Sequence, residues 1–474
     1  MMTRPSMWPG MQPHGQRTLA SRMVRFSLAT FCTACVIDAS AQVLSLAPPG
    51  PVLAGDAVAI NVRGLPPRAR VSVVAERTVL EQGRPVHYRS SADFLAAADG
   101  TLDLSRDAPA AGDYQGVDAS GLFWSMTPVA GMAPAVSETG LVGLTVLLEQ
   151  RPVTQGQLRL SATLPLVRAD AIAAFPGAIV ARLPGRERRP AVIVLEGSMG
   201  GATSARALAL RLAAHGFVAV ALPYYSPELP GHGERELRDL PRSFVDIPVD
   251  RLNQVHSWLA GRSDVDSSRI ALYGVSKGAE FALIAASKLV WPAAVVAIVP
   301  SDVVWQGWGP DVDPPDSRRS SFSFNGVALP FVPNVDFVQE LDGFRTGQAV
   351  RLRRPMDKGR AAFPGAAAAA RIRVEDFKGP MFVAGASDDQ MWASAMMAEN
   401  IAERRLAAGR RTVSLIFQDA GHMLDGSGWD PTTQYNAGLF KLGGTAQGNA
   451  HAQAEVWRQA LAFLGDALQV APSQ

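Results

Sequence analysis

The stretch at residues 269–287 reads RIALYGVSKGAEFALIAAS: an apolar run of strand length, then Gly-Val-Ser-Lys-Gly, then a segment with helical periodicity. Glycines two positions before and two positions after Ser276 permit a tight turn from the strand into the helix. Such a turn raises the serine hydroxyl above the edge of a sheet, and it places free backbone N–H groups of a helix N-terminus beside it. The pattern therefore predicts a nucleophilic serine at position 276.

A serine hydroxyl needs a base, because it is a weak nucleophile until a histidine held by a carboxylate accepts its proton. Two histidines follow Ser276 in the chain. His422 lies in Asp-Ala-Gly-His-Met, on a loop directly after a predicted strand, whereas His451 begins the predicted last helix, where a solvated side chain is expected. We therefore predict that His422 is the base.

The carboxylate that orients this histidine is expected after the predicted strand at 381–384. Two adjacent acids, Asp388 and Asp389, follow that strand. One would cap the next helix and the other would hold the imidazole, and the residues alone leave the choice open. Serine, acid and histidine then occur in the chain order that is typical of α/β-hydrolases, each at the end of a successive strand.

A glycine-rich loop, Glu-Gly-Ser-Met-Gly-Gly at 196–201, follows the first predicted strand of this half of the chain. A backbone N–H from such a loop can pair with the N–H of Lys277 to bind an oxyanion. We predict Ser198 or Met199 as the donor. The loop pattern alone is also compatible with a phosphate cradle, but it lacks the lysine and Ser/Thr of a P-loop.

The two halves of the chain differ in their hydrophobic periods. Residues 42–170 contain short β-rich runs separated by turn residues, which predicts an antiparallel β-sandwich of about seven strands. Residues 171–474 alternate apolar strands with amphipathic helices, which predicts a doubly wound, mostly parallel sheet of the α/β-hydrolase type. The strands of this half are expected at 191–195, 217–221, 270–273, 293–299, 381–384 and 412–417. Its helices are expected at 204–214, 249–259, 277–289, 394–408 and 451–468.

Residues 301–376 interrupt the alternation with tryptophans, prolines and an Ala/Arg-rich run. A long irregular insertion in a compact domain is typical of a lid or a binding element. A surface excursion without function is the alternative interpretation.

Composition excludes several classes of function. Apolar residues make up 47% and charged residues 19% of the 474 residues, and the formal net charge is +2. These values are ordinary for a globular protein and give no electrostatic reason to expect a nucleic-acid partner or an anionic membrane surface. The oligomeric state is not readable from the sequence.

The N-terminus resembles a secretory signal peptide over residues 1–41. Arginines precede a short apolar run that ends in Ala-Ser-Ala at 39–41, a small-residue cleavage pattern. This predicts a periplasmic or secreted protein if the leader is cleaved, and a cytoplasmic one otherwise. The apolar run is too short for a stable membrane anchor. Both cysteines, Cys32 and Cys35, lie in this segment, so a cleaved chain has no thiolate nucleophile.

Several motifs resemble the family of acyl-CoA thioesterases and bile-acid-CoA:amino-acid N-acyltransferases. In the first half these are Val-Arg-Gly-Leu-Pro-Pro at 62–67, Ala-Asp-Gly-Thr-Leu-Asp-Leu at 98–104 and Gly-Leu-Phe-Trp-Ser-Met at 121–126. In the second half they are Phe-Val-Ala-Val-Ala-Leu-Pro-Tyr-Tyr at 217–225, Leu-Tyr-Gly-Val-Ser-Lys-Gly-Ala-Glu at 272–280, Asp-Gln-Met-Trp at 389–392, Gly-His at 421–422 and His-Ala-Gln-Ala-Glu-Val-Trp at 451–457. The resemblance implies an immunoglobulin-like domain followed by an α/β-hydrolase.

The resemblance also implies an activity and its residues. The family's acid precedes x-x-Trp, which corresponds to Asp389. Members that form amides tend to carry cysteine as nucleophile and thioester hydrolases carry serine, so Ser276 favours water as the acyl acceptor. The expected reaction is hydrolysis of an acyl-CoA thioester to free fatty acid and CoA through an acyl-enzyme, without a metal or redox cofactor.

Two alternatives remain open from the sequence. Acyl-CoA is a cytoplasmic metabolite, so the export signal favours an exported carboxylic-ester hydrolase that does not use CoA. The second alternative is a binding protein that has a hydrolase fold but no catalytic activity. Pseudoenzymes of that kind usually lack a member of the triad, whereas all three members are present in this sequence.

Overall fold

The computed structural model describes residues 41–81, 84–130, 138–161, 163–228, 235–312 and 318–470. The predicted leader therefore lies, except for Ala41, outside the described residues, as do both cysteines. Within the described segments, no helix combines the length and the apolar character needed to cross a membrane.

The first half of the chain forms two sheets that face each other across one core. Three strands pair in the order β1-β3-β6, and the second sheet runs β2-β10-β9-β4-β5-β7, with β8 also pairing with β5. Ile60, Val73 and Leu144 bring side chains from both sheets into this core. Described elements of this half are β1 (Val43–Ala47), β2 (Pro51–Leu53), β3 (Ala59–Arg63), β4 (Arg70–Glu81), β5 (Arg84–Leu95), β6 (Leu102–Asp103), β7 (Ala111–Gly112), α1 (Gly121–Trp124), β8 (Thr127–Pro128), β9 (Leu141–Leu148) and β10 (Arg151–Ser161). The described strands outnumber the seven expected because four of them are only two or three residues long.

The second half is built on an eight-stranded mixed sheet. Its described elements are β11 (Arg168–Ala171), β12 (Ile179–Arg182), β13 (Arg189–Leu195), α2 (Thr203–Ala214), β14 (Val218–Ala221), β15 (Ile247–Pro248), α3 (Leu252–Ala260), β16 (Val265–Val275), α4 (Lys277–Lys288), β17 (Ala294–Ile298), β18 (Phe322–Phe324), β19 (Val327–Ala328), α5 (Phe337–Leu341), α6 (Gly343–Thr346), α7 (Arg353–Ala362), α8 (Pro364–Ala369), β20 (Met381–Ala386), α9 (Ser394–Ala407), β21 (Thr412–Phe417), β22 (Ala420–Gly421), β23 (Gly443–Gly444) and α10 (Ala446–Ala467). The sheet order is β11-β12-β14-β13-β16-β17-β20-β21. Strands from β14 to β21 in this order pair in parallel, and β11 and β12 are antiparallel.

Helices cover both faces of this sheet, which explains its continuous apolar strands. Along β13, Ile193 packs into a core with α3, α4 and α9, whereas Val192 and Val194 pack into a second core with α2 and α10. This is the doubly wound α/β-hydrolase arrangement that the sequence predicts. Each expected strand and helix of this half occurs, with ends shifted by a few residues.

The largest shifts, of five residues, are at the start of β16, which begins at Val265, and at the start of the last helix. The last helix begins at Ala446, five residues before the predicted start. Thr445 caps it by accepting a hydrogen bond from Gly448 N at 2.9 Å. The predicted start of this helix was wrong because glycines at 443, 444 and 448 reduce helix propensity. They obscured the role of Thr445 as the N-cap.

The two halves share packed surfaces, and the described residues from Ala41 onward form one compact unit. The ring of Phe123 in α1 contacts that of Trp429 edge to face at 4.5 Å. Trp429 and Ala450, from the hydrolase half, belong to the core of the sandwich. The motif at 121–126 therefore lies at this interface rather than inside either half alone.

An ion pair crosses the same interface. His451 Nε2 lies 2.6 Å from Asp118 Oδ2, an oxygen that also accepts from Trp124 Nε1 at 2.8 Å. Hydrogen bonding to Asp118 raises the pKa of His451 above its usual value. Although burial opposes this, hydrogen bonds from His451, Trp124 and Ser120 hold the pKa of Asp118 below its usual value. The expectation of a purely solvated His451 was therefore wrong: the side chain is half-exposed but paired.

Replacing His451 by glutamine should lower the melting temperature more at pH 6 than at pH 9. A histidine whose pKa is raised by folding stabilises the protein below the unfolded pKa, and that contribution disappears as the pH rises through the folded pKa. We expect a difference of roughly 1–2 °C at pH 6, measured by differential scanning fluorimetry. An equal difference at both pH values would contradict a charged pair.

The insertion at 301–376 packs against the elbow helix α4 through a buried ion pair. Lys277 Nζ lies 2.6 Å from Glu280 Oε2 and donates to Ser321 Oγ at 2.9 Å. Trp305 N donates to Glu280 Oε1 at 3.0 Å. The ammonium also lies 5.1–5.5 Å from the ring centres of Phe244, Trp308 and Phe322. Thus the Lys and Glu of Gly-x-Ser-Lys-Gly-x-Glu fasten the insertion to the turn.

Burial lowers the pKa of Lys277 and raises the pKa of Glu280, and their pairing opposes both shifts without cancelling them. Both side chains are almost fully inaccessible. Buried pairs of this kind contribute little net stability, but losing one partner leaves an unpaired buried charge.

Glu280→Gln should therefore lower the free energy of unfolding by about 3 kcal/mol, measured by urea denaturation. Glu399→Gln, at an exposed position in α9, is the matched control and should change it by no more than about 0.5 kcal/mol. The double variant Lys277→Met/Glu280→Met should lose less than the sum of the single changes. Equal effects of the variants at 280 and 399 would refute the role of the pair.

Candidate active site

Ser276 occupies the turn between β16 and α4 in a conformation that few residues adopt. Its backbone has φ 55° and ψ −119°, and its N–H donates to Ile298 O at 2.9 Å. A Cβ at position 274 would lie 2.1 Å from Gly278 O, and one at position 278 would lie 2.1 Å from Leu195 O. Both glycines are required because the strand, the turn and β13 approach each other so closely.

His422 lies in contact with this serine. Its Nε2 is 2.8 Å from Ser276 Oγ. The loop that carries it follows β21 and is held by a hydrogen bond from His422 N to Leu442 O at 2.8 Å. The ring of Trp392 contacts the imidazole edge to face at 5.6 Å. Serine and histidine are each less than one-tenth exposed.

Asp389, and not Asp388, contacts the imidazole. Its two oxygens lie 2.9 and 3.0 Å from His422 Nδ1, and Asp389 is fully buried. Met391 N donates to the same carboxylate at 2.8 Å. Asp388 instead accepts from Gly444 N at 2.8 Å and from Gln390 Nε2 at 2.6 Å. The loop thus separates the two acids that the sequence left as alternatives.

The glycine-rich loop after β13 approaches the serine from the other side. A Cβ at Gly197 would lie 3.2 Å from Ser276 Cβ. Ser198 and Met199 line the same cavity as Ser276, and Met199 is 61% exposed. Across the described residues, no backbone carbonyl accepts from the N–H of Ser198, Met199 or Lys277. These three groups, the donors predicted from the sequence, are therefore available to a ligand.

Ser276 and His422 open into a cavity of about 660 Å³. One part of its wall comes from the insertion and its neighbours, including Met356, Trp308 and Phe440. Another part lies between the sandwich and α2, where Leu160 and Leu208 line it. The first half of the chain therefore contributes directly to the wall, which the sequence did not predict.

Charged side chains in this wall were also missed. Asp425 and Arg211 line the cavity, and burial raises the pKa of Asp425 to about 6. Arg211 Nη1 donates to Ala54 O and Gly426 O at 3.4 and 3.3 Å, which ties α2 to both halves. Neither residue belongs to a recognisable sequence motif. Arg211 lies in a mostly apolar helix and Asp425 in a loop, so nothing in the sequence indicated a functional position.

A metal centre has no candidate ligands in the described segments: no group of three or more His, Cys, Asp or Glu side chains there could hold an ion. The arrangement can instead support acyl transfer. A hydroxyl is hydrogen-bonded to an imidazole, the imidazole to a buried carboxylate, and free backbone N–H groups lie beside the hydroxyl.

Comparison with known families matches most of the chain. Residues 252–470 match the model described as BAAT / Acyl-CoA thioester hydrolase C terminal, and residues 55–160 match the Acyl-CoA thioester hydrolase/BAAT N-terminal region. Residues 177–303 match the dienelactone hydrolase family. The N-terminal and C-terminal regions of one family are thus both matched, in the order expected.

Individual proteins are similar over nearly their whole length. A peroxisomal succinyl-coenzyme A thioesterase of Mus musculus is 28% identical over 455 residues, covering 90% of this chain and 96% of that protein. Acyl-coenzyme A thioesterase 1 of Rattus norvegicus is 26% identical, covering 89% of this chain and 95% of that protein. A solved structure of a putative dienelactone hydrolase from Klebsiella pneumoniae covers 63% of this chain and 98% of that chain, at 16% identity and a TM-score of 0.37. With both of its regions matched, the chain belongs to the acyl-CoA thioesterase/BAAT family.

Proposed function

We propose that the protein is a serine hydrolase that cleaves acyl-CoA thioesters to a free fatty acid and CoA. The observation that carries the proposal is the hydrogen-bonded series Ser276–His422–Asp389 at the wall of a 660 Å³ cavity. The names of similar proteins as coenzyme A thioesterases support the choice of thioester.

In the proposed first step, His422 Nε2 takes the proton from Ser276 while Oγ attacks the thioester carbonyl carbon. The carbonyl oxygen becomes an oxyanion, which the N–H of Lys277 and that of Ser198 or Met199 stabilise. The tetrahedral intermediate then collapses, the C–S bond breaks, and the imidazolium gives its proton to the departing CoA thiolate. Asp389 keeps the imidazole in the required tautomer and stabilises its charged form.

In the second step, His422 removes a proton from a water molecule that attacks the serine ester. The acid is released, and Ser276 Oγ regains its proton from the imidazolium. A serine ester is a less activated acyl donor than a thioester, so abundant water suits it as acceptor. We therefore propose hydrolysis rather than transfer to an amino acid.

The two halves receive separate roles in this proposal. Residues 42–170 act as an immunoglobulin-like domain that supports the hydrolase and forms part of the cavity wall. Residues 171–474 act as the catalytic domain, and the insertion at 301–376 acts as a cover of the cavity. Its attachment through Lys277 and Glu280 supports a fixed cover near the serine.

The export signal in the sequence favours a second candidate, an exported carboxylic-ester hydrolase with the same triad. Purified protein tested on acyl-CoA thioesters and on p-nitrophenyl esters of the same chain length separates the two. Hydrolysis of the aryl esters with no activity on any acyl-CoA would favour the second candidate. A binding protein would hydrolyse neither substrate.

Ser276→Ala should abolish hydrolysis of both thioesters and esters, with kcat reduced by at least about 10⁴-fold, because among the described residues no other hydroxyl is hydrogen-bonded to His422 Nε2. A fluorophosphonate probe should label the wild-type protein at Ser276, identified by peptide mass spectrometry, and should leave the variant unlabelled. Retention of activity by the variant would refute the assignment.

Asp389→Asn should reduce kcat by about 10³–10⁴-fold, because the imidazole loses its orienting charge and takes the wrong tautomer. Asp388→Asn is the matched control one residue away and should reduce kcat less than about tenfold, since its carboxylate is hydrogen-bonded to Gly444 and Gln390 instead of to the imidazole. Steady-state kinetics on a single substrate compare the two. The reverse ranking would transfer the role to Asp388.

A further inference from the structure

A second cavity adjoins the one that contains Ser276. Its volume is about 290 Å³, and it is lined by Arg351, Lys441, Asp388, Gln390, Asn436 and Gly443. Five of these six residues carry polar or charged side chains, in contrast to the many apolar side chains that line the first cavity.

One thin wall separates the two cavities. Along 440–443, Phe440 and Leu442 line the serine cavity, whereas Lys441 and Gly443 line the second one. Leu352 and its neighbour Arg351 divide between the cavities in the same way. The alternation is that of an extended backbone, whose successive side chains point to opposite sides.

Backbone hydrogen bonds hold this wall against the active site. Lys441 N donates to Val350 O at 3.0 Å, and His422 N donates to Leu442 O at 2.8 Å. The two cationic residues are thus fixed next to the loop of the proposed base, and a ligand that passes over the wall reaches both cavities.

The charges in the second cavity favour an anion. Within the described part of the chain, no ion pair joins a carboxylate to the Arg351 guanidinium or to Lys441 Nζ, which donates to Asn436 O. The carboxylate of Glu340 lies beside the backbone of Arg351, where its Oε1 accepts from Arg351 N at 2.7 Å, and it is paired with Arg354 at 3.4 Å. Asp388 is the acid of this lining, and both of its oxygens are engaged, by Gly444 N and by Gln390 Nε2. Two cations therefore face one carboxylate that already has its own donors.

We propose that the second cavity binds the phosphate groups of the CoA leaving group through Arg351 and Lys441. This inference rests on the proposed thioesterase function. It also fixes the orientation in which acyl-CoA would lie across the two cavities. The nucleotide end of CoA lies on the side of Arg351, and the pantetheine arm passes along Phe440 and Leu442 to the serine. The acyl chain occupies the part of the first cavity that Leu160 and Leu208 line.

The test compares three substrates with one acyl chain: the CoA thioester, the pantetheine thioester without phosphates, and the p-nitrophenyl ester. Arg351→Ala and Lys441→Ala should each raise KM for acyl-CoA about fivefold, with kcat unchanged. KM for the other two substrates should not change. Added KCl should raise KM for acyl-CoA in the wild type and less so in the double variant, because salt screens charge contacts.

Control variants separate charge at this cavity from charge in general. Arg168→Ala removes an exposed arginine of β11 and should leave all three KM values unchanged. The charge-conserving Lys441→Arg should keep most of the affinity for acyl-CoA. Adenosine 3′,5′-bisphosphate, which carries phosphates of CoA but no thioester, should inhibit the wild type competitively and the double variant about 20-fold more weakly.

The outcomes distinguish failure of the subsite from failure of the function. If the protein hydrolyses acyl-CoA and acyl-pantetheine with the same KM and the variants change neither, the subsite is wrong and the thioesterase function stands. If it hydrolyses only the aryl ester, the thioesterase function fails and the subsite fails with it. A selective rise in KM for acyl-CoA supports both.

Discussion

The close approach of three backbone segments is the constraint on which the site depends. β13, the end of β16 and the first turn of α4 meet so tightly that side chains at Gly274 and Gly278 would collide with carbonyl oxygens. Ser276 is forced to a positive φ, which costs on the order of 1–3 kcal/mol. The surrounding sheet maintains this conformation, and as a result the hydroxyl projects to the imidazole instead of into the core.

The same turn organises its surroundings through the first and fourth residues of α4. Lys277 and Glu280 point away from the hydroxyl, into the insertion, where Ser321 and Trp305 complete their hydrogen bonds. One short segment therefore positions the proposed nucleophile on one side and the cover of the cavity on the other. This explains in physical terms why the elbow carries a lysine and a glutamate as well as its glycines.

The order of Ser276, Asp389 and His422 was predictable because the carboxyl ends of parallel strands meet at one edge of a sheet. Asp388 and Asp389 could not be separated from spacing, since their roles depend on how the loop lies against Gly444. The pairing of His451 with Asp118 joins positions 333 apart in the chain, which no local pattern encodes. The second cavity was missed for a similar reason: alternation along 440–443 has meaning only once both sides of the wall are known.

Trp429 and Ala450 belong to the hydrolase half but pack in the core of the first half. This shared core affects any attempt to express the two halves separately. A fragment starting near residue 171 would retain every residue of the hydrogen-bonded series, yet it would expose the Trp429 indole to water and lose Leu160 from the wall of the serine cavity. The change in hydrophobic period near residue 171 thus marks where one architecture gives way to another. It does not mark a point at which the chain divides into two independently stable parts. Grafting a sandwich from a relative would alter the shape of the serine cavity near Leu160 while leaving Ser276, His422 and Asp389 unchanged.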